Sequence, residues 1–318
     1  VGSFDFRKNF VKVNKLKMAY AQAGTIEATD YNSFINGTNQ LNRVWATGNG
    51  DAGYGQTTIS EVTAGFEATA TQWATLINAL NNVRLHQTGS GSGISSVSAG
   101  QTINYYSALS TSINSAYSDR LLYASQGATT TGANFDVTVS STTGLSSYTV
   151  DRTVTFASAN QARYFFNAGG QLNLRLSAIN SADSGSENSF GRLVTGLGGV
   201  GFRNTTNTGR TGSGITLNTN NTALGYRTNV LNTPATIVQV TDTTSSYTAS
   251  TGYLQVYTSS ADTTNGSVGL NVVFRTVYSI ADKTWDDSMS LTYRMAVDIV
   301  FPESTYLTTN AWGTPTIS

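Results

Sequence analysis

At about residue 130 the spacing of apolar side chains changes period, and this change limits the possible folds more than any other feature of the chain. Upstream, Tyr31, Phe34, Ile35, Leu41, Val44 and Trp45 share one helical face, as do Trp73, Leu76, Ile77, Leu80 and Val83. Tyr106, Leu109, Ile113 and Ala116 form a weaker third copy. Downstream the period is two. "QLNLRLSAI" sets Leu172, Leu174, Leu176 and Ala178 against Gln171, Asn173, Arg175 and Ser177, and "LTYRMAVDIVF" aligns Leu291, Tyr293, Met295, Val297, Ile299 and Phe301. The expected fold class is therefore α+β, an N-terminal helical segment followed by an antiparallel β-sandwich. The expected domains are a basic N-terminal arm at 1–22, a helical repeat-like domain at 23–125 and a β-sandwich domain at 126–318.

Local signals add detail. Thr29 and Thr71 each precede a leading aromatic by two residues, where a capping hydroxyl belongs. Uneven spacing of Tyr31, Trp73 and Tyr106 predicts divergent helical units in place of a strict array. "TGNGDAGYGQTT" demands a tight, ordered loop, whereas "TGSGSGISS" at 88–96 has the composition of a flexible connection. Further strands are predicted at "FDVTVS", "SYTVDRTVTFA", "ARYFFN", "ATIVQVT", "TGYLQVYTS" and "GLNVVFRTVYSI". "NSFGRLVTGLGG" reads as a short helix crossing an end of the sandwich, among long loops around 180–230.

Charged residues make up 11% of the 318, with a formal net charge of zero. Roughly 25% is usual for a soluble domain, so the expected surface is neutral and rich in hydroxyls, suited to coverage by neighbours. No broad positive field offers a footprint for nucleic acid; the local run Arg7, Lys8, Lys12, Lys15 and Lys17 reads as a solvated or anchoring arm. Cysteine is absent, which excludes disulfides and thiolate chemistry. No apolar run has the length of a membrane-spanning helix.

Candidate chemistry is thin. His86 is the single histidine, and catalysis would need a nucleophile or metal together with an orienting carboxylate; Glu67 is the nearest acid in sequence. Placed beside Arg84 and before Gly89, it reads as a helix C-terminal residue facing the last carbonyls. "GLGGVG" at 196–201 satisfies GxGxxG, but helix precedes it and the next acid is Asp242, too distant to hold a ribose. "ADKTWDDS" gathers Asp282, Asp286 and Asp287 around Lys283 and Trp285; a polar hairpin loop is the default there. Aromatic residues are claimed first by the core, with Tyr253 and Tyr257 left as candidates for exposed contact. No catalytic residue, cofactor or metal ligand is assigned.

"GTNQLNRVWATGNGDAGYGQ" followed by "TAGFEATATQWATLINALNNVRLHQTG" resembles a module of virion structural proteins from T4-like tailed bacteriophages of marine cyanobacteria and related hosts. The resemblance rests on Gly53, Tyr54, Gly55 and Gln56, on Thr69, Ala70, Gln72 and Trp73, and on Arg84, His86, Gln87, Thr88 and Gly89. "ARYFFNAGGQLNL" is similar to a strand-turn-strand element of the same group. It implies a non-enzymatic, multi-copy component of a tail, tail fibre, baseplate or particle surface. The implied partners are identical subunits and other virion proteins, with a host-surface glycan as a further candidate; nucleic acid and a membrane span are not expected. Two rival readings remain: a cell-surface adhesin or surface-layer protein, and a carbohydrate-binding or carbohydrate-active β-sandwich using Trp285, Asp286 and Asp287.

Overall fold

A computed structural model describes residues 27–37, 40–141, 147–179, 185–228, 233–243, 250–258, 271–279 and 289–318. The basic arm with Arg7, Lys8, Lys12, Lys15 and Lys17, the acidic loop with Asp282, Lys283, Trp285, Asp286 and Asp287, and the Tyr257 side chain lie outside them.

Helices come first: α1 (Ala28–Ile35), α2 (Leu41–Trp45), α3 (Ala70–Thr88) and α4 (Tyr106–Ser118). The caps fall two residues earlier than Thr29 and Thr71. Thr69 Oγ1 accepts the Gln72 amide at 3.3 Å while Gln72 Oε1 accepts the Thr69 amide at 2.8 Å, so a glutamine three residues on selects the cap. Glu27 and Asp30 make the same reciprocal arrangement at α1. The predicted units do not stack as an array. Their leading aromatics converge, Tyr31 meeting Trp73 edge-on at 5.2 Å and Phe34 reaching Trp73 at 5.9 Å and Tyr106 at 4.5 Å.

An irregular segment runs along these helices with its backbone polar groups satisfied by amide side chains. Asn42 donates to Ile59 O at 2.8 Å and accepts from Ile59 N at 2.9 Å; Asn32 does both for Val62, each at 2.9 Å. Asn81 serves Ile94 O and Ser92 N in the same way. These amide side chains imitate strand pairing where no strand exists, Asn42 from within the core and Asn32 and Asn81 from half-buried positions. Asn42→Ala, which leaves both Ile59 groups unpaired in the core, is expected to cost about 3 kcal/mol in urea unfolding. A loss below about 1 kcal/mol would show that these bonds exchange freely with water.

Two antiparallel sheets follow, as the α+β pattern predicts. The first carries β1 (Gln126–Thr130), β10 (Met289–Pro302), β4 (Gln171–Ala178) and β5 (Gly199–Phe202) in that order, with β2 (Phe135–Ser141) also on β10. The second runs β11 (Thr316–Ile317), β3 (Ser147–Thr155), β9 (Asn271–Ser279), β8 (Ser250–Thr258), β7 (Ala235–Asp242) and β6 (Thr216–Asn220). β1 and β2 lie end to end on one edge of β10. Gly132 permits the passage between them, since a Cβ there would sit 1.9 Å from Val297 O. Its amide donates to Asp298 Oδ1 at 2.9 Å, and Arg175 binds the same carboxylate through two bonds of 2.6 and 2.9 Å. Burial alone would raise the Asp298 pKa; the bonds from Arg175 and Gly132 outweigh it and hold the group below the ordinary carboxylate value. Alternation along β10 is lost beyond Met295, where Ala296, Asp298 and Val300 are buried as well as Val297 and Ile299.

"ARYFFN" is not a strand. It lies in α5 (Ala159–Asn167), capped by Ser158 Oγ accepting the Gln161 amide at 3.2 Å. Every residue from Ala162 to Asn167 is buried, so the run shows neither period and its sequence cannot distinguish helix from strand. The similar element is accordingly helix-turn-strand, turned by Gly169 at φ +90°. The predicted helix at 188–199 is α6 (Gly185–Leu197), which packs against β4 and β10 of one sheet and β7 and β8 of the other. Side chains of the sheets also meet directly, Phe202 with Phe274 at 5.8 Å and Tyr278 with Tyr293 at 5.6 Å.

Candidate functional site

The glycine-rich loop at 47–56 is where the helices meet the β-rich part. It folds back over the end of α2: the amides of Tyr54, Gln56 and Gly55 donate to Val44 O, Trp45 O and Ala46 O at 2.8, 3.0 and 2.8 Å. Those carbonyls would otherwise end the helix unpaired. Gly48, Gly50, Gly53 and Gly55 all have positive φ, and a Cβ on Gly53 would lie 2.3 Å from Thr47 O.

On its helical side the loop buries Tyr54 completely. The Tyr54 hydroxyl donates to Arg120 O at 2.9 Å and accepts from Gln87 Nε2 at 3.0 Å; Gln87 Nε2 also donates to Ala116 O at 2.8 Å. Burial raises the Tyr54 pKa well above the ordinary value and keeps the hydroxyl a neutral donor. The His86 ring stands edge-on to Tyr54 at 5.2 Å. Its side chain is 2% exposed, and among the described residues neither ring nitrogen closes a hydrogen bond of ordinary geometry, so the contact with the last helical carbonyls expected from sequence is not made. Burial lowers its pKa to about 4, against weaker upward pulls from Glu303 and the Ala168 backbone, so the ring is neutral near pH 7. The C-terminal role falls to Gly89 at φ +74°, whose amide donates to Leu85 O at 2.9 Å. Arg84 turns away to Asp119 at 2.6 Å.

On its other side the loop meets distant segments. Gln56 donates to Thr309 O and accepts from Thr309 N, both at 2.9 Å. A Cβ on Gly55 would sit 2.4 Å from Ala311 Cβ and 2.5 Å from the Tyr164 ring. Arg163 donates to Thr47 O at 2.9 Å, Asn167 to Gly53 O at 3.3 Å and Arg227 to Gly50 O at 2.6 Å. Arg120 pairs with Asp51 at 2.5 Å, and its hydrogen bond is the largest of the influences that hold the Asp51 pKa below the ordinary carboxylate value.

The structure thus gathers Tyr54, His86 and Gln87 into one buried cluster, with Gly55 and Gln56 on its far side. In this cluster the polar side chains end mainly on backbone carbonyls, and among the described residues no side chain hydrogen-bonds the His86 ring. Among the described residues no group of three His, Asp or Glu side chains has a metal-binding arrangement, and no helix is long and apolar enough to cross a membrane. "GLGGVG" forms the turn from α6 into β5. Its glycines admit close backbone approach, a Cβ on Gly199 lying 2.1 Å from Leu174 O, and a strand follows where a dinucleotide site needs a helix. Tyr253 is half-buried in β8. Arg163, Asn167, Arg227, Thr309 and Ala311 were not foreseen as partners of the loop, because nothing local in their sequence marks a contact made so far along the chain. Protein families, curated proteins and solved structures were compared with the chain, and none matches it.

Proposed function

We propose that this chain is a non-enzymatic structural subunit of a tailed-phage particle, present in several copies and held among identical and other virion proteins. One observation carries the reading. Part of the resemblance, Gly53, Tyr54, Gly55 and Gln56 of the loop with His86 and Gln87 of α3, is brought together from separate stretches of sequence into one junction whose bonds bind segments of the chain to one another, while Thr69, Gln72 and Trp73 cap and pack the other end of α3. Such a motif is architectural, and its residues are used up by the fold instead of being presented to a substrate. Low charge supports the same reading, since a neutral surface favours coverage by neighbours over dispersion as a free monomer. Light scattering of the purified chain across concentration is expected to show association into a closed oligomer, and antibodies against it are expected to decorate isolated particles. A chain that stays monomeric at high concentration and fails to label particles contradicts the reading.

A further inference from the structure

Most sheet edges in this chain are covered or broken. On β5 the outer groups of Gly199 and Gly201 are taken by the chain itself: the Thr211 and Thr208 amides donate to their carbonyls, both at 3.0 Å, and the Gly201 amide donates to Thr208 Oγ1 at 2.8 Å. β6 is irregular between Leu217 and Thr219, and β1 between Gln126 and Thr129. β3 is covered at its end, where Thr153 exchanges two bonds of 2.9 Å with Ser318 beside β11. Covering segments and bulges of this kind keep strands from pairing with other chains.

β2 has neither. It pairs with β10 in unbroken register, and among the described residues no backbone bond reaches its other edge. The direction of its free groups follows from β10. Thr292 O accepts the Ile179 amide at 2.9 Å, so even-numbered residues of β10 turn their backbone groups to the β4 side and odd-numbered ones turn theirs to β2. Leu291, Tyr293 and Met295 stand opposite Val139, Val137 and Phe135, which leaves the N–H and C=O groups of Asp136, Thr138 and Ser140 pointing outward. These three side chains are exposed, whereas Val137 and Val139 are buried. The strand holds no Lys, Arg, Pro or Gly, and its one charge, Asp136, is neutralised by two bonds of 2.7 and 2.9 Å from Arg294. β3 from 147 to 152 likewise has no backbone bond on its outer edge among the described residues, and Arg152 over the Phe135 ring at 4.4 Å places the two open stretches on one side of the molecule.

The strand that fits this edge best is β2 itself. Antiparallel pairing centred on Thr138 sets Thr138 against Thr138 and Asp136 against Ser140 of the second copy, each such pair exchanging both N–H···O bonds. Threonine pairs and a hydroxyl facing a carboxylate are favourable across strands, and Val137 and Val139 come opposite each other on the core face. A register centred on Asp136 would instead set two carboxylates face to face. With zero formal net charge, no long-range repulsion separates the copies.

We propose that the outer edge of β2 is a homotypic interface, pairing about a two-fold axis at Thr138 with β2 of a second copy and joining their two first sheets into one. This names the surface by which the subunit proposed above meets its copies, and rests on that reading.

The test is the dimer dissociation constant of the full chain by sedimentation equilibrium. Thr138→Pro removes an outward N–H without touching the β10 ladder, and Ser140→Asp sets a second carboxylate against Asp136 in both halves of the pair; each is expected to weaken association at least about tenfold. Ser140→Lys, which meets Asp136 with an opposite charge, is expected to hold or tighten it, and Leu217→Lys on β6 to leave it unchanged. Where Thr138→Pro fails to fold, the exposed Ser140 variants carry the test. The chain has no cysteine, so Thr138→Cys supplies a single thiol, and a short bismaleimide should join two copies through it but not through Thr216→Cys on β6. Association that ignores both Thr138→Pro and Ser140→Asp, through β3 or another surface, overturns the proposal and leaves the multi-copy reading standing. A wild type that never dimerises also overturns it, and the subunit reading then rests on whether antibodies label particles.

Discussion

Gly55→Ala is expected to cost about 4 kcal/mol in urea unfolding. Two penalties combine. The residue sits at φ +71°, which an alanine resists, and the new methyl would stand 2.4 Å from Ala311 Cβ and 2.5 Å from the Tyr164 ring. Tyr164 belongs to a packed helix and Ala311 to a segment pinned by Gln56 and Thr309, so neither side can withdraw without breaking bonds. Gly65→Ala separates the two penalties. Gly65 has φ +87° with nothing within 4 Å of its Cβ position, so it should lose only about 1 kcal/mol, the backbone share. Equal losses from the two substitutions would mean that the close approach at Gly55 is relieved at no cost, and that the junction is looser than its geometry.

Acidification should weaken the protein well before its paired carboxylates titrate. His86 has a pKa of about 4 in the folded chain and about 6.5 when solvated, so between these values the unfolded state binds more protons. Stability is therefore fully present above pH 6.5 and is lost as pH falls towards 4, by about 3 kcal/mol in all. Asp51 and Asp298 act lower, because their pKa values lie below the ordinary carboxylate value and their contribution fades only as pH falls beneath it. The decisive measurement is urea unfolding at a series of pH values between 7 and 4.5 for the wild type and His86→Leu. The variant should flatten the slope in this window. A wild type indifferent to pH there, or a variant that keeps the slope, would place the proton uptake elsewhere.

Most of the secondary structure was legible because most of it is half-buried. A strand such as β4 or a helix such as α3 turns one face to the core, and the hydrophobic pattern records that face residue by residue. Legibility failed where burial is complete. α5 is covered on all sides, so Phe165 and Phe166 carry no periodic information, and the cue that was missed is the local one, Ser158 followed three residues later by Gln161. The same cue, Thr69 with Gln72, would have moved the start of α3 from Thr71. For the junction, the sequence marked Tyr54, His86 and Gln87 as unusual without indicating that they touch. Their far-side partners at 163, 227 and 309–311 were invisible, since a glycine chosen to admit Ala311 looks like any loop glycine until the contact is known.

The bonds between Gln56 and Thr309 also govern how the molecule comes into being. During synthesis the helices emerge first and can gather around Trp73 early, yet the loop they present cannot be closed until residues 309–311 have left the ribosome. Docking of the helices onto the 309–311 segment thus follows synthesis of that segment, and a product truncated before it would leave the loop open along this seam.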